Sequence, residues 1–191
     1  MEALKAGFFK QKTLEIAKDL LGKYLVAKSA EGTTIGKIVE TEAYLWGDEA
    51  SHSYRGKTLR NAAMFEEAGT IYVYFIYGNH YCFNIVTNKK GIGEAVLIRA
   101  LEPLEGLELM KKRRKVDELK RLCNGPANLV KALGINKEDN CSKINESRIK
   151  LFKSEKIGEK EIVKTNRIGI VKGCKEKYRF YIRGNEFVSR K

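Results

Sequence analysis

The 191-residue chain is predicted to fold as one α+β domain over residues 1–191, built on a mostly antiparallel sheet. Three observations predict this class. The length fits a single domain, and a domain of this size buries roughly 70% of its unfolded-state surface without needing a disulfide staple. Runs rich in β-branched and aromatic residues recur at short spacing, separated by Gly- and Asn-containing turns, which is hairpin order. Helical periodicity is confined to three segments, and neither an internal repeat nor a low-complexity linker interrupts the chain.

The first helix has Thr13 as its expected N-cap. It carries Leu14, Ala17, Leu20 and Leu21 on one face and stops at Gly22. Residues 24–27 read as a strand, and Glu31-Gly32 as the turn into a long strand over 35–45. Residues 46–68 are polar and irregular; a loop of this length in a domain is either functional or disordered. Strands are expected over 70–77 and 81–86, with Gly78-Asn79 as their turn, and again over 94–101. Pro103 is expected to open a helix that runs into the basic stretch 111–115. A further helix should follow Gly125-Pro126 and end near Gly134. Residues 138–146 read as loop, and 148–153, 161–171 and 178–183 as late strands.

The formal net charge is +13 and the pI about 9.5. Such an excess favours a polyanionic partner, nucleic acid first and an anionic membrane second. A Lys-rich composition with no functional meaning is the alternative reading. Cys82, Cys123, Cys141 and Cys174 are far apart, and with only His52 and His80 beside them no metal-ligand spacing emerges, so neither a metal nor a cofactor is expected. The N-terminus lacks the apolar stretch of a signal peptide, and no run approaches the ~20 residues of a membrane span. A reduced, intracellular, soluble protein without a membrane partner is the expectation.

The run Ile38-Val39-Glu40-Thr41-Glu42-Ala43-Tyr44-Leu45 puts two carboxylates and a phenol in the middle of a strand. Alternation places Glu40, Glu42 and Tyr44 on one face and Val39, Thr41, Ala43 and Leu45 on the other. Burying a carboxylate is costly without a partner, so this face is either a site or a solvated edge. Arg99, embedded among Val96, Leu97, Ile98 and Ala100, needs a carboxylate or a bound anion, and Glu40 or Glu42 could supply it. Tyr72 and Tyr74 share one strand face, with Tyr77 on the other. Tyrosine and histidine rings stack on nucleobases at about 1–3 kcal/mol per stack, and a side chain at a strand-to-turn junction can act as a wedge in a duplex. For each tyrosine taken singly, ordinary cross-strand packing is the competing reading.

The order of these motifs resembles the alkyladenine (3-methyladenine) DNA glycosylase family. The likeness begins in the 38–45 strand and continues through His52-Ser53, Arg60-Asn61 and Met64-Phe65. It then takes in Gly69-Thr70-Ile71-Tyr72-Val73-Tyr74-Phe75-Ile76-Tyr77-Gly78, Asn84 and Leu97-Ile98-Arg99-Ala100-Leu101-Glu102-Pro103-Leu104-Glu105-Gly106. Cys123-Asn124-Gly125-Pro126, Arg167-Ile168-Gly169-Ile170 and Arg179-Phe180-Tyr181-Ile182-Arg183-Gly184 complete it. One departure is a slightly shorter loop between Tyr44 and His52, with Trp46 in it.

The resemblance implies a curved antiparallel sheet flanked by helices, without a helix-hairpin-helix. It also implies a monofunctional enzyme of base-excision repair, a bare catalytic domain acting as a monomer. Such an enzyme flips a damaged purine out of double-stranded DNA, hydrolyses its N-glycosidic bond and leaves an abasic site. Carried over, Glu42 activates the water and Arg99 positions it, helped by the main-chain carbonyl of Ile168. Tyr44, His52 and Tyr74 hold the flipped base, and the His52 amide reads the purine edge. Asn84 sits where guanine's exocyclic amino group would clash, and Tyr77 intercalates. Glu40 is left as a partner of Arg99 or a surface residue. The protein would work with DNA inside the cell, in the bacterial cytoplasm and nucleoid or the eukaryotic nucleus. Alkylated purines, hypoxanthine and ethenoadenine all stay open as lesions. A lyase would need an activated amine near the sugar, and no lysine occupies a matching motif position. A nucleic-acid-binding module without activity is the alternative.

Overall fold

In the computed structural model, which describes residues 1–76, 78, 80–171 and 174–190, eight strands form one curved, wholly antiparallel half-barrel sheet with three α-helices against it. The strands are β1 (Tyr24–Ser29), β2 (Gly32–Tyr44), β3 (Ile71–Ile76), β4 (His80–Val86), β5 (Ala95–Glu105), β6 (Ile149–Phe152), β7 (Ile162–Thr165) and β8 (Arg179–Ile182). The helices are α1 (Thr13–Asp19), α2 (Leu107–Arg114) and α3 (Pro126–Leu133). Strand order is β3-β4-β5-β2-β1-β6, with β7 paired to β8 and β8 paired to β2. This is the α+β class expected from the sequence, with no helix-hairpin-helix among the described residues.

β2 organises the sheet. β5 runs along one of its edges, while β1 pairs with its first half and β8 with residues Glu40–Glu42 of its second. The main core lies under α1 and α3, where Ile16, Ala17 and Leu20 meet Ile38, Ala43 and Ile98, and where Leu129 and Leu133 join the same cluster as Phe83 and Ile85. Thr41 faces α1 and donates its hydroxyl to the Ala17 carbonyl at 2.7 Å.

Four local expectations are corrected. Thr13 is the first residue of α1 and not its cap; its hydroxyl is spent instead on the buried Glu94 carboxylate and Thr87. Pro103 does not open a helix. It lies in β5 opposite Gly36, beside a step in register that leaves Leu104 as an extra residue, and such irregularities tolerate a missing N–H. α2 starts after Gly106, whose φ is 74° and where a side chain would collide with the Thr33 carbonyl. Strict alternation along β2 fails at Val39, the extra residue of a bulge between Ile38 and Glu40, which clusters with Phe187 and Val188 and not with Ala43. The late strand expected over 161–171 ends at Thr165.

The polar segment 46–68 is a packed loop with one short 3₁₀ turn, Ala62–Phe65. The Ser53 hydroxyl donates to the Gly93 carbonyl at 2.6 Å, and a side chain at Gly93 would overlap Ser53 and Phe65. The Asn61 side-chain amide donates to the carbonyls of His52 at 2.7 Å and Gly56 at 3.0 Å. A buried asparagine thus gives the loop the backbone partners that a strand ladder would otherwise supply.

Candidate functional site

A cavity of about 400 Å³ opens against β3, β4 and β5. Its lining brings together six of the residues singled out from the sequence: Tyr44, His52, Tyr74, Asn84, Arg99 and Ile168. Glu42 lies directly behind them and is fully buried. Tyr77 lies outside the described residues.

The Glu42 carboxylate is held on both oxygens. Oε2 accepts from the Tyr44 hydroxyl at 2.9 Å, while Oε1 accepts from the Ile168 amide at 2.8 Å and lies 3.3 Å from an Arg99 Nη. Ile168 therefore holds the Glu42 carboxylate through its N–H, a contact separate from the water-positioning carbonyl that the family resemblance brings forward. Burial, and then the adjacent Glu42 charge, push the Tyr44 phenol well above its usual pKa, so it stays protonated and donates.

Glu40 is no surface residue. It is fully buried, and its Oε1 lies 2.6 Å from Arg179 Nε and 3.3 Å from Arg99 Nε. Its Oε2 accepts from the Ser189 amide at 2.7 Å. Arg99 is itself a bulge residue: Glu40 pairs with Ala100 and Thr41 with Ile98, leaving Arg99 between them. A bulge re-aims its side chain, here into the space between two carboxylates.

Arg167 lies behind Tyr44, with its guanidinium 4.7 Å from the ring centroid. It donates to the Ala43 carbonyl at 2.9 Å and to Asp48 Oδ1 at 2.9 Å, with a second, shorter contact to Asp48 Oδ2. Burial works against this charge, but Asp48 outweighs it and holds the Arg167 pKa above its usual value.

The opposite wall is aromatic. The His52 and Tyr74 rings meet edge-on with centroids 4.4 Å apart, and Tyr72 and Tyr74 lie 5.3 Å apart. His52 Nδ1 and the Tyr72 hydroxyl share a hydrogen bond of 2.9 Å. Burial of the ring, and then the Arg60 charge, lower the His52 pKa and favour the neutral imidazole. Burial likewise keeps the Tyr72 and Tyr74 phenols protonated. Asn84 donates its amide to the Tyr72 carbonyl at 3.1 Å, which fixes its head group in the wall.

Three contributors were not singled out as site residues from the sequence. Tyr72 shares the parity of Tyr74, the signal that would have found it. Arg179 is followed by Phe180-Tyr181-Ile182, the same cation-in-an-apolar-strand signal as Arg99. Asp48 had no local signal, because its partner lies 119 positions away. Among the described residues no group of His, Cys, Asp or Glu is set to hold a metal ion, and no helix is long and apolar enough to cross a membrane.

Residues 7–186 match the family model described as methylpurine-DNA glycosylase. A protein of Francisella tularensis subsp. tularensis is 54% identical over 183 residues, covering 94% of this chain and 95% of its own. A Carboxydothermus hydrogenoformans protein is 48% identical over 96% and 97% of the two chains, and one from Methanoculleus marisnigri 47% over 98% and 99%. Each of the three carries the name "Putative 3-methyladenine DNA glycosylase".

Proposed function

The chain belongs to the methylpurine-DNA glycosylase family, and we propose that it hydrolyses the N-glycosidic bond of a damaged purine turned out of duplex DNA, with Glu42 as the general base. The observation that carries this reading is a buried carboxylate behind an aromatic cavity. Glu42 accepts two hydrogen bonds and pairs with the Arg99 charge through Oε1, which leaves a lone pair of Oε2 for a water. An enzyme acting on a base must take it out of the stack, and a cavity of 400 Å³ falls within the roughly 300–1,000 Å³ of small-molecule sites.

In this reading Tyr44, His52 and Tyr74 hold the flipped purine, and Asn84 disfavours the exocyclic amino group of guanine. Water adds to the sugar's anomeric carbon as its bond to the purine nitrogen breaks. The water's proton passes to Glu42, whose charge also stabilises the oxocarbenium-like sugar. Arg99 orients the carboxylate and its water. Alkylated purines that carry positive charge suit electron-rich rings and leave as neutral bases. No lysine lines the cavity among the described residues, which supports hydrolysis by water over a lyase.

Exposed Arg55, Lys57 and Arg60 in the loop that carries His52 suit phosphate contacts, whose contribution falls with salt. Tyr77, which follows β3 in the chain, is assigned to the vacated space in the duplex. We take residues 1–191 as one catalytic unit working as a monomer alongside cellular DNA. The test is single-turnover base release from duplexes carrying alkylated purines, hypoxanthine or ethenoadenine. Glu42→Gln should slow release about 10²–10⁴-fold while binding of abasic duplex is retained; wild-type rates in that variant would sink the assignment.

A further inference from the structure

Glu40 has more partners than a spare carboxylate requires. Three groups converge on it from three separate parts of the chain: Arg179 from β8 and the Ser189 amide from the C-terminal segment as hydrogen-bond donors, and Arg99 from β5 as an ion pair. Arg179 also donates to the Arg190 carbonyl, and its guanidinium lies 4.9 Å from the centre of the Tyr181 ring. Phe187 and Val188 pack on Val39 and Ala100, the neighbours of Glu40 and Arg99. The far end of the chain is therefore clamped over the carboxylate adjacent to the one assigned to catalysis.

We propose that Glu40 is a positioning residue for Arg99, and that residues 187–190 are the clasp that holds Glu40 in place. The inference rests on the reading of Glu42 as the base. Its logic is charge sharing. Glu40, Glu42, Arg99 and Arg179 balance to zero inside the protein, which is the condition for burying them. An arginine committed wholly to Glu42 would stabilise its ionised form and make it a weaker base. Glu40 draws on the same guanidinium through Nε, while an Nη faces Glu42. The Arg99 Nε contact is an ion pair without hydrogen-bond alignment, as expected of a cation held between two anions. Glu40 thereby fixes where Arg99 points and shares its charge with Glu42.

Among the described residues, the other charged and titratable groups facing this pair are Tyr44 from β2, Cys82 from β4, Arg167 from the segment after β7 and Arg179 from β8. Two substitutions move the shared charge in opposite directions. In Glu40→Gln, Arg99 is left to Glu42 and one neighbouring negative charge is lost. Both changes favour ionised Glu42, so the acid limb of the base-release rate should move to lower pH. In Ser189→Pro the amide donor is removed while Glu40 stays, so Glu40 draws Arg99 toward itself and the acid limb should move to higher pH. The plateau rate should fall about tenfold or more in Glu40→Gln and less in Ser189→Pro, with binding to abasic duplex unchanged in both.

The experiment is single-turnover base release against pH for wild type, Glu40→Gln, Ser189→Pro and Glu42→Gln, with folding checked by circular dichroism. If Glu40→Gln does not fold, the Ser189→Pro profile decides. Wild-type plateau and limb in the folded variants, with Glu42→Gln inactive, overturn the clasp alone. An active Glu42→Gln overturns the base assignment instead.

Discussion

The two walls of the cavity are built on different principles. The charged wall, from β2, β5 and β8, consists of side chains that are almost completely buried and held by several partners each. The aromatic wall, from β3 and the 46–61 loop, is held by hydrogen bonds between neutral groups and by ring contacts, edge-on between His52 and Tyr74 and tilted between Tyr72 and Tyr74. His52 leaves part of its surface in solvent while its ring packs on Tyr72 and Tyr74, and its own position depends on Asn61 gripping its carbonyl. The difference separates precision from tolerance. A reacting carboxylate must be held to a fraction of an ångström. A surface that stacks on bases can adjust, because every base offers a π-face.

The contrast can be broken most directly at Asp48, which sits in the loop but belongs to the charged wall through Arg167 behind Tyr44. Asp48→Ala removes the carboxylate that Arg167 engages behind Tyr44, in a pair whose side chains are 0% and 5% exposed. Breaking a buried pair from one side should cost about 3–5 kcal/mol, read by urea unfolding. A loss below ~1 kcal/mol would mean that the charged wall is no more committed than a surface ion pair. Tyr72→Phe, by comparison, deletes only the hydroxyl shared with His52. It should cost about 0.5–1.5 kcal/mol in the same assay, and a loss equal to that of Asp48→Ala would erase the distinction.

The smallest effect is in pH. The folded-state pKa of His52 lies below its unfolded value, so between the two the unfolded chain binds more protons. Stability contributed by His52 is therefore complete above about pH 6.5 and is lost as the pH falls through that window. Relative to His52→Phe, the wild type should show a steeper fall in melting temperature on acidification. Parallel curves would show that the ring is hydrated as in the unfolded chain.

The sequence by itself determined what depends on near neighbours. Hairpin β3–β4, the α3 helix between Pro126 and Gly134 and the shared face of Glu42 and Tyr44 all follow from periods of two and 3.6 residues and from turn chemistry. The family likeness extended that reading to Arg99, His52, Tyr74 and Asn84, all of which line one cavity. Only the tertiary structure decided where the charges go. Pairing places Arg179 on Glu40 across 139 positions and Ser189 on it across 149. The bulges at Val39 and Arg99 shift which side chains share a face, and no alternation rule anticipates them. The physical reason is that burial demands a partner for every ion without specifying which one. The partner is whatever cation or amide the strand register brings within reach, so Glu40, left open as a surface residue or an Arg99 partner, is buried beside the site between Arg99, Arg179 and the Ser189 amide.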